Sequence, residues 1–200
     1  MKLASHNTFT YLPVSKWWMK PFAFMARCQR IGIMNQYDAG ARMFDIRLRF
    51  DMLSKPVLCH GLIEYEHKNI FIESILSLLN YKGDCCVRMV LETTKHDAYQ
   101  EACFHWFCWY CSDVYKNIKF VGGNNRTDWL CEHPIYHFRD ELPSIENAYA
   151  SATTRFPNGK RWLGFIDDLY PYDYAKRYNR KSIEKGTDKE WLMLDFVDIK

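Results

Sequence analysis

Hydrophobic and polar positions along the chain follow two patterns, short apolar or alternating runs and longer amphipathic stretches. The short runs predict β-strands, and they cover residues 3–5, 41–50, 56–60, 86–91, 118–121, 135–138, 162–166 and 191–197. The amphipathic stretches predict helices over residues 16–36, 70–79, 98–115, 142–152 and 172–185. Because strands and helices alternate, we expect a mostly parallel sheet.

The number of strand-like runs predicts the fold class. Eight runs, most of them followed by a helix, favour an α/β protein with a compact, distorted (β/α)8 TIM barrel formed by a single domain over residues 1–200. The chain is shorter than the ~250 residues typical of such barrels, so its loops should be trimmed. A flavodoxin-like open sheet is the alternative, although it would use fewer strands.

The run at residues 41–50 places charges on a face that a barrel would bury. Asp45 and Arg47 lie two residues apart and therefore point to the same side of a strand. Phe44, Ile46 and Leu48 occupy the other side. An inward charge is costly unless it is paired or functional, so two interpretations stay open: a structural Asp–Arg pair, or part of a site.

Composition excludes several classes of protein. The chain is 48% hydrophobic and 26% charged, which excludes collagen-like and disordered chains. A formal net charge of +3 gives no indication of a nucleic-acid partner. No apolar run reaches the ~18 residues of a membrane span, and the first residues lack a signal peptide. We expect a monomer that is made without export or is a mature form.

The eight cysteines favour reduced, buried thiols over a disulfide framework. Cys85 and Cys86 are adjacent, and a chain of this length does not need disulfide bonds to stabilise its fold. Cys108 and Cys111 form a C-x-x-C within a helical stretch, whereas the redox motif normally lies where a strand passes into a helix. A zinc site would need a second ligand pair. Reduced cysteines make the cytoplasm the default compartment.

Polar side chains end several of the predicted strands. In a (β/α)8 barrel the chemistry lies at the carboxyl ends of the strands. Two imidazoles, one guanidinium, one amide and three carboxylates meet this criterion, namely His6, His60, Arg47, Asn7, Asp45, Glu92 and Asp195. Such a set can accept a proton, donate a proton and neutralise an anion, as cleavage of a phosphodiester requires.

Three motifs in this order resemble the phosphatidylinositol-specific phospholipase C X-domain family, in its short bacterial form. They are Ser-His-Asn-Thr at 5–8, the string ending in Gly-Ala-Arg-Met-Phe-Asp-Ile-Arg at 36–47, and Val-Leu-Cys-His-Gly at 57–61. Residues 191–197 are similar to the closing strand of that family. The resemblance implies a distorted (β/α)8 barrel that cleaves phosphatidylinositol to diacylglycerol and a cyclic inositol phosphate.

The resemblance also implies roles for individual residues. His6 would be the general base that takes the proton of the inositol 2-hydroxyl, and Asp195 would orient it. Arg47 would hold the phosphate, with Asp45 fixing the guanidinium. His60 would be the general acid that protonates the departing diacylglycerol oxygen.

Two positions depart from the metal-independent bacterial pattern. Those members have Asp where this chain has Asn7 and Lys where it has Glu92. Asn7, Asp45 and Glu92 resemble the ligands of the calcium-dependent branch, and hard oxygen ligands of this kind suit Ca2+. Arg47, however, takes the place of an acidic ligand and already supplies positive charge. We therefore expect no obligatory metal, with Ca2+ as the alternative.

Other residues are candidates for contact with a phospholipid substrate. Trp17, Trp18 and Phe22 follow the first strand and suit transient membrane contact, although core packing is an equal alternative. Asn7, Glu92, Arg126 and Asp167 are candidates for binding the substrate.

The leading hypothesis is a phospholipase C-type phosphodiesterase, a phosphoric diester hydrolase or phosphorus–oxygen lyase, for phosphatidylinositol or a related headgroup. One alternative is a catalytically weak barrel that binds lipid or glycan. Another is a glycerophosphodiesterase or phospholipase D-like enzyme, which would need a metal and an acidic pair on the second strand.

Overall fold

The computed structural model describes residues 1–66, 72–93, 97–122, 149–153 and 171–200. The strands are β1 (Lys2–Ser5), β2 (Ala41–Phe50), β3 (Pro56–His60), β4 (Ile63–Glu64), β5 (Cys86–Leu91), β6 (Lys119–Val121), β7 (Tyr149–Ala152) and β8 (Trp191–Leu194). A 3₁₀ helix, η1 (Trp17–Phe22), precedes the α-helices α1 (Ala23–Ala26), α2 (Ile33–Asp38), α3 (Ile72–Lys82), α4 (Ala98–Val114) and α5 (Pro171–Lys185).

These strands form one curled, mostly parallel sheet, as the alternation of strands and helices predicts. β7, β8, β1, β2, β5 and β6 pair in that order, and each of these pairings is parallel. β2 is the longest strand and pairs with three others. The fold is therefore a mixed α/β arrangement with β2 at the centre of the sheet.

β3 departs from the parallel pattern because it forms a hairpin with β2. Leu48 pairs with Leu58 and Phe50 with Pro56 in antiparallel register, and β4 extends the hairpin. β5 occupies the other edge of β2 along residues 43–48. The pairing of β1 with β2 ends at Phe44, and β3 pairs with the same edge of β2 further along. The ends of β1 and β3 therefore approach each other.

Side chains that point into the curled sheet recur at every second residue of each strand. They form a lower layer of apolar residues, called here the apolar plug, and a polar layer above it. Inside the curled sheet, the small apolar cluster consists of Ala4, Met43, Cys86, Val121, Trp191 and Met193. Two residues further along four of these strands come His6, Asp45, Arg88 and Asp195. The larger apolar cluster includes Phe44, Ile46 and Leu48 from the opposite face of β2.

The prediction of a single helix over residues 16–36 is wrong. Pro21 lies inside η1, helix α1 ends at Ala26, and α2 begins only at Ile33. Between the two helices, the backbone N–H groups of Cys28 and Gln29 both donate to Thr10 Oγ1, at 2.9 Å each. Proline and these tertiary hydrogen bonds override the helical pattern.

The prediction of a helix over residues 142–152 is wrong in its described part, since β7 pairs with β8 there. The pattern does not predict the short strand β4, and the remaining described strands and helices lie within a few residues of their predicted bounds. The predicted strands at 135–138 and 162–166 lie outside the described residues.

In the described ranges, no helix has both the length and the apolar character needed to cross a membrane. The seven cysteines in those ranges are free, and six of them are buried, as expected for structural thiols. Burial raises the pKa of the Cys111 thiol, in the C-x-x-C, to about 12, so this thiol is poorly reactive at neutral pH.

Candidate active site

His6 follows β1 and is held in one tautomer by its neighbours. Its Nδ1 lies 2.7 Å from Asp195 Oδ1. Because a carboxylate only accepts, Nδ1 carries the proton. Nε2 faces two donors, Arg47 Nη2 at 2.8 Å and Asn7 Nδ2 at 3.1 Å, so Nε2 presents a lone pair. A neutral imidazole in this state can accept a proton at Nε2.

Gln29 fastens the two strand ends that carry His6 and Asp195. Its Nε2 donates to the carbonyl oxygens of His6 and Leu194, both at 3.1 Å. Its Oε1 accepts from the backbone N–H of Val197 at 3.2 Å. Gln29 is not among the predicted site residues, because it lies within the stretch whose pattern predicts a helix.

Arg47 and Asp45 form the centre of a buried ionic network. Arg47 Nε donates to Asp45 Oδ2 at 3.0 Å, and Arg88 Nη1 donates to Asp45 Oδ1 at 2.7 Å. Burial would raise the pKa of Asp45, but Arg47 and Arg88 outweigh it and hold that pKa well below its usual range. Asp45 is therefore an anion that holds the guanidinium of Arg47 in place, on the inward face that the spacing of the two residues predicts.

Arg47 retains donors after it has made its internal bonds. Nη1 donates to Glu92 Oε2 at 3.1 Å, and Nη2 reaches His6. Burial would lower the pKa of Arg47, but Glu92 and Asp45 raise it above its ordinary value. The bonds among the described residues use one N–H on each nitrogen, so Nη1 and Nη2 each keep a second N–H. Two such donors match the oxygens of a phosphate.

Glu92 also fixes the turn that follows His60. Its Oε1 accepts from the backbone N–H of Gly61 at 2.7 Å. Gly61 has a φ of 58°, a left-handed conformation that glycine adopts without strain. Glu92 thus links the guanidinium of Arg47 to the turn that positions the second imidazole.

His60 lies across the site from His6, with the two ring centroids 6.0 Å apart. Its Nδ1 lies 2.8 Å from the carbonyl oxygen of Ala26, so Nδ1 donates. The same carbonyl accepts from Tyr65 Oη at 3.2 Å. Burial lowers the pKa of His60 to about 4 against the opposing effect of Glu92. A backbone carbonyl therefore orients His60 where Asn7 supplies no carboxylate.

Asn7 and Cys28 form a line of contacts between the two imidazoles. The backbone N–H of Asn7, at a φ of 44°, donates to Asp45 Oδ2 at 3.1 Å. Its Nδ2 lies 3.7 Å from Cys28 Sγ, and that sulfur is 3.9 Å from His60 Nδ1. The sequence analysis treated Cys28 as a structural thiol, and no sequence signal indicated that it lies in the site.

The oxygens of Asp45 and Glu92 fit guanidinium groups better than a calcium ion. Both oxygens of Asp45 accept from Arg47 or Arg88, and one oxygen of Glu92 accepts from Arg47. A calcium ion needs about six to eight oxygen ligands, and Arg47 lies between the two carboxylates that would have to supply them. In the structure these carboxylate oxygens are therefore engaged by guanidinium groups.

The structure brings together His6, Asn7, Asp45, Arg47, His60, Glu92 and Asp195. Arg126 and Asp167, the other two candidates for substrate binding, lie outside the described residues. Trp17, Trp18 and Phe22 are exposed to 78%, 53% and 50%, so these side chains are not core residues.

Solved structures similar to this chain are bacterial phospholipases. The phosphatidylinositol-specific phospholipase C from Listeria monocytogenes matches with a TM-score of 0.62 and 14% identity over 98% of this chain and 87% of that chain. A variant of the enzyme of that name from Staphylococcus aureus matches with a TM-score of 0.57 and 14% identity, covering 98% and 84%. No family model and no curated protein matches the chain.

At this level of identity the likeness shows the fold alone. The curled sheet and these neighbours confirm the prediction of a distorted (β/α)8 barrel.

The lowered pKa of His60 predicts how stability depends on pH. The unfolded chain takes up this proton near pH ~6.5, whereas the folded protein does so at about 4. The free energy of unfolding should therefore fall as the pH drops through this window, by about 1–3 kcal/mol from this group.

His60→Asn keeps a donor for Ala26 and removes the titration. Urea unfolding at several pH values should then show that the free energy of unfolding falls less with decreasing pH in the variant than in the wild type. An equal fall in the variant and in the wild type would contradict the assignment of this pH dependence to His60.

Proposed function

We propose that this chain is a phospholipase C-type phosphodiesterase that cleaves phosphatidylinositol, or a lipid with a related headgroup, to diacylglycerol and a cyclic phosphate. The observation that carries the proposal is the convergence of two imidazoles and one guanidinium. His6 Nε2 lies 2.8 Å from Arg47 Nη2, and the ring centroids of His60 and His6 are 6.0 Å apart. These groups come from the ends of β1 and β3 and from β2 between them, and they can surround one phosphorus atom.

In the proposed reaction His6 Nε2 takes the proton of a substrate hydroxyl, and that oxygen attacks phosphorus. Asp195 stabilises the imidazolium that forms, as the orienting carboxylate of a catalytic triad does. A protonated Nε2 cannot accept from Arg47. The guanidinium therefore exchanges His6 for the oxygens of the phosphate, where it stabilises the charge of the transition state.

His60 is proposed to protonate the leaving oxygen of diacylglycerol. The arriving phosphodiester brings negative charge next to His60, which favours its protonated form and opposes the effect of burial. With its Nδ1 fixed on Ala26, the ring turns Nε2 away from that carbonyl. Proton donation from Nε2 would complete the cleavage of the bond between phosphorus and the diacylglycerol oxygen.

We further propose that the reaction needs no metal. The guanidinium of Arg47 supplies the positive charge that a cation would bring. The carboxylate oxygens that would ligate calcium already accept from Arg47 and Arg88.

The proposed enzyme acts as a monomer at a lipid surface. Trp17, Trp18 and Phe22 are exposed aromatic residues with Lys20 among them, a composition that suits the membrane interface. The same segment ends at Ala26, whose carbonyl holds His60. Membrane contact and the acid group therefore belong to one stretch of chain.

The alternatives from other classes have less support. A barrel that only binds lipid or glycan has no need of an imidazole fixed in the tautomer of a base. A glycerophosphodiesterase or phospholipase D-like enzyme would present an acidic pair on the second strand, whereas β2 presents Asp45 and Arg47.

The losses of kcat caused by replacing His6 and by replacing His60 should depend differently on the leaving group of the substrate. His6→Ala should lower kcat by about 10²–10⁴-fold on phosphatidylinositol vesicles and equally on an inositol phosphodiester of nitrophenol. His60→Ala should show the same loss on the lipid and a much smaller loss on the nitrophenyl ester, because that leaving group needs no proton.

His105→Ala, on helix α4, is the matched control and should retain full turnover. Release of inositol phosphate and of nitrophenol measures both reactions. Equal losses on both substrates for His60→Ala would remove the acid role, and no release by the wild type would overturn the proposed function.

Turnover should persist when calcium is removed. We expect the same rate on vesicles in a calcium chelator as with added calcium, because Arg47 occupies the place of the cation. Complete loss with the chelator and recovery with calcium would show that the metal is obligatory.

Replacing the exposed aromatic residues should weaken vesicle binding without changing the rate of the chemical step. Trp17→Ala with Trp18→Ala should weaken binding to phosphatidylinositol vesicles in a sedimentation assay by about tenfold or more and leave the nitrophenyl substrate unaffected. Trp106→Ala, at a side chain that is 58% exposed on α4, is the matched control. Loss of folding in the double variant would instead indicate a packing role.

A further inference from the structure

A buried thiol lies against the proposed base and its carboxylate. Cys28 is 1% exposed, and its sulfur, the imidazole of His6 and the carboxylate of Asp195 offer ligand atoms that all lie within 4.8 Å of one another. The proposed cleavage of the phosphodiester gives Cys28 no task. The three groups come from β1, β8 and the extended stretch between α1 and α2, so they meet only in the folded protein.

We propose that His6, Cys28 and Asp195 bind a zinc ion, and that bound zinc switches the site off. Thiolate, imidazole and carboxylate are the ligands that zinc takes in proteins. At normal zinc–ligand bond lengths, tetrahedral ligand atoms lie roughly 3.5 Å apart. His6 Nδ1 and Asp195 Oδ1, now 2.7 Å apart, would separate by somewhat under ~1 Å to admit the metal, and the other pairs already lie within 4.8 Å. Calcium would not compete, because it requires oxygen ligands in larger number.

A second observation points to a ligand at the same place. Asn7 is 2% exposed, and its Oδ1 is buried and has no hydrogen-bond partner among the residues that the structure describes. Its Nδ2 already contacts both His6 and Cys28. A half-turn of the amide would bring Oδ1 towards these groups, and the fourth position on zinc falls to this oxygen or to a water.

The proton balance explains why zinc would inhibit. The nitrogen beside Asp195 is Nδ1, and in the proposed site this nitrogen gives its lone pair to the metal. Its proton therefore passes to Nε2, while the proton of Cys28 leaves to solvent, since the thiolate is the ligand. His6 then holds a proton where the base needs a lone pair, and Nε2–H faces a donor on Arg47. The zinc form has no base.

The binding step is tested without reference to activity. Titration of the wild type with cobalt, a spectroscopic stand-in for zinc, should give the thiolate-to-metal absorption band and the strong visible bands of a tetrahedral site. Cys28→Ala should abolish the thiolate band and weaken zinc binding by about 100-fold. Cys86→Ala is the matched control, because this thiol is equally buried at 1% exposed and lies in the apolar plug.

Zinc X-ray absorption on the wild type needs no variant. It should show a single sulfur ligand at about 2.3 Å with nitrogen and oxygen completing the shell. Zinc affinity or a thiolate band retained in Cys28→Ala, or a sulfur-free shell in the wild type, would overturn the site.

The inhibition step rests on the proposed function. Micromolar zinc should suppress turnover on vesicles in the wild type, and the ratio of rates without and with zinc should fall by about tenfold or more in Cys28→Ala. Zinc that binds with the thiolate band and leaves turnover unchanged would overturn inhibition alone. A wild type with no turnover would end the proposed function, while the cobalt spectrum still decides the site.

Discussion

The structure depends on the neutralisation of Asp45 inside the curled sheet. A carboxylate taken out of water there is tolerable only because two guanidinium groups lie within hydrogen-bond distance of it. Arg47 in turn requires Glu92, and Glu92 requires the Gly61 turn. Removing one member leaves a buried charge without its partner, which typically costs about 3–5 kcal/mol. The same network that keeps the interior neutral therefore also aims the guanidinium.

This constraint explains why the site lies at the end of the sheet that carries the carboxyl ends of the parallel strands. Below Asp45 and Arg88, the buried apolar side chains of the plug pack together. Above them the strands end, and the side chain of His6 is 12% exposed. β3 contributes only because it turns back along β2 and shares an edge with β1.

The sequence predicts β1, β2, β3, β5, β6 and β8 because their signals are local, but it misses the short β4 and assigns a helix where β7 lies. The alternation in β2 indicates both its bounds and the inward face of Asp45 and Arg47, and the motif order indicates which strand ends meet. The stretch after β1 defeats the same reasoning, because hydrogen bonds to Thr10 and the carbonyls at the ends of β1 and β8 override its apolar period. Cys28, Gln29 and the Ala26 carbonyl enter the site through those tertiary contacts, which no spacing along the chain encodes.

The distance along the chain between the base and its orienting carboxylate has a consequence for biosynthesis. His6 and Asp195 are 189 positions apart, and β8 is the strand that pairs with β1. During translation the imidazole emerges early but lacks its carboxylate until the closing strand has left the ribosomal tunnel. The nascent chain therefore carries a histidine without its carboxylate partner, and the geometry at His6 forms only when β8 pairs with β1.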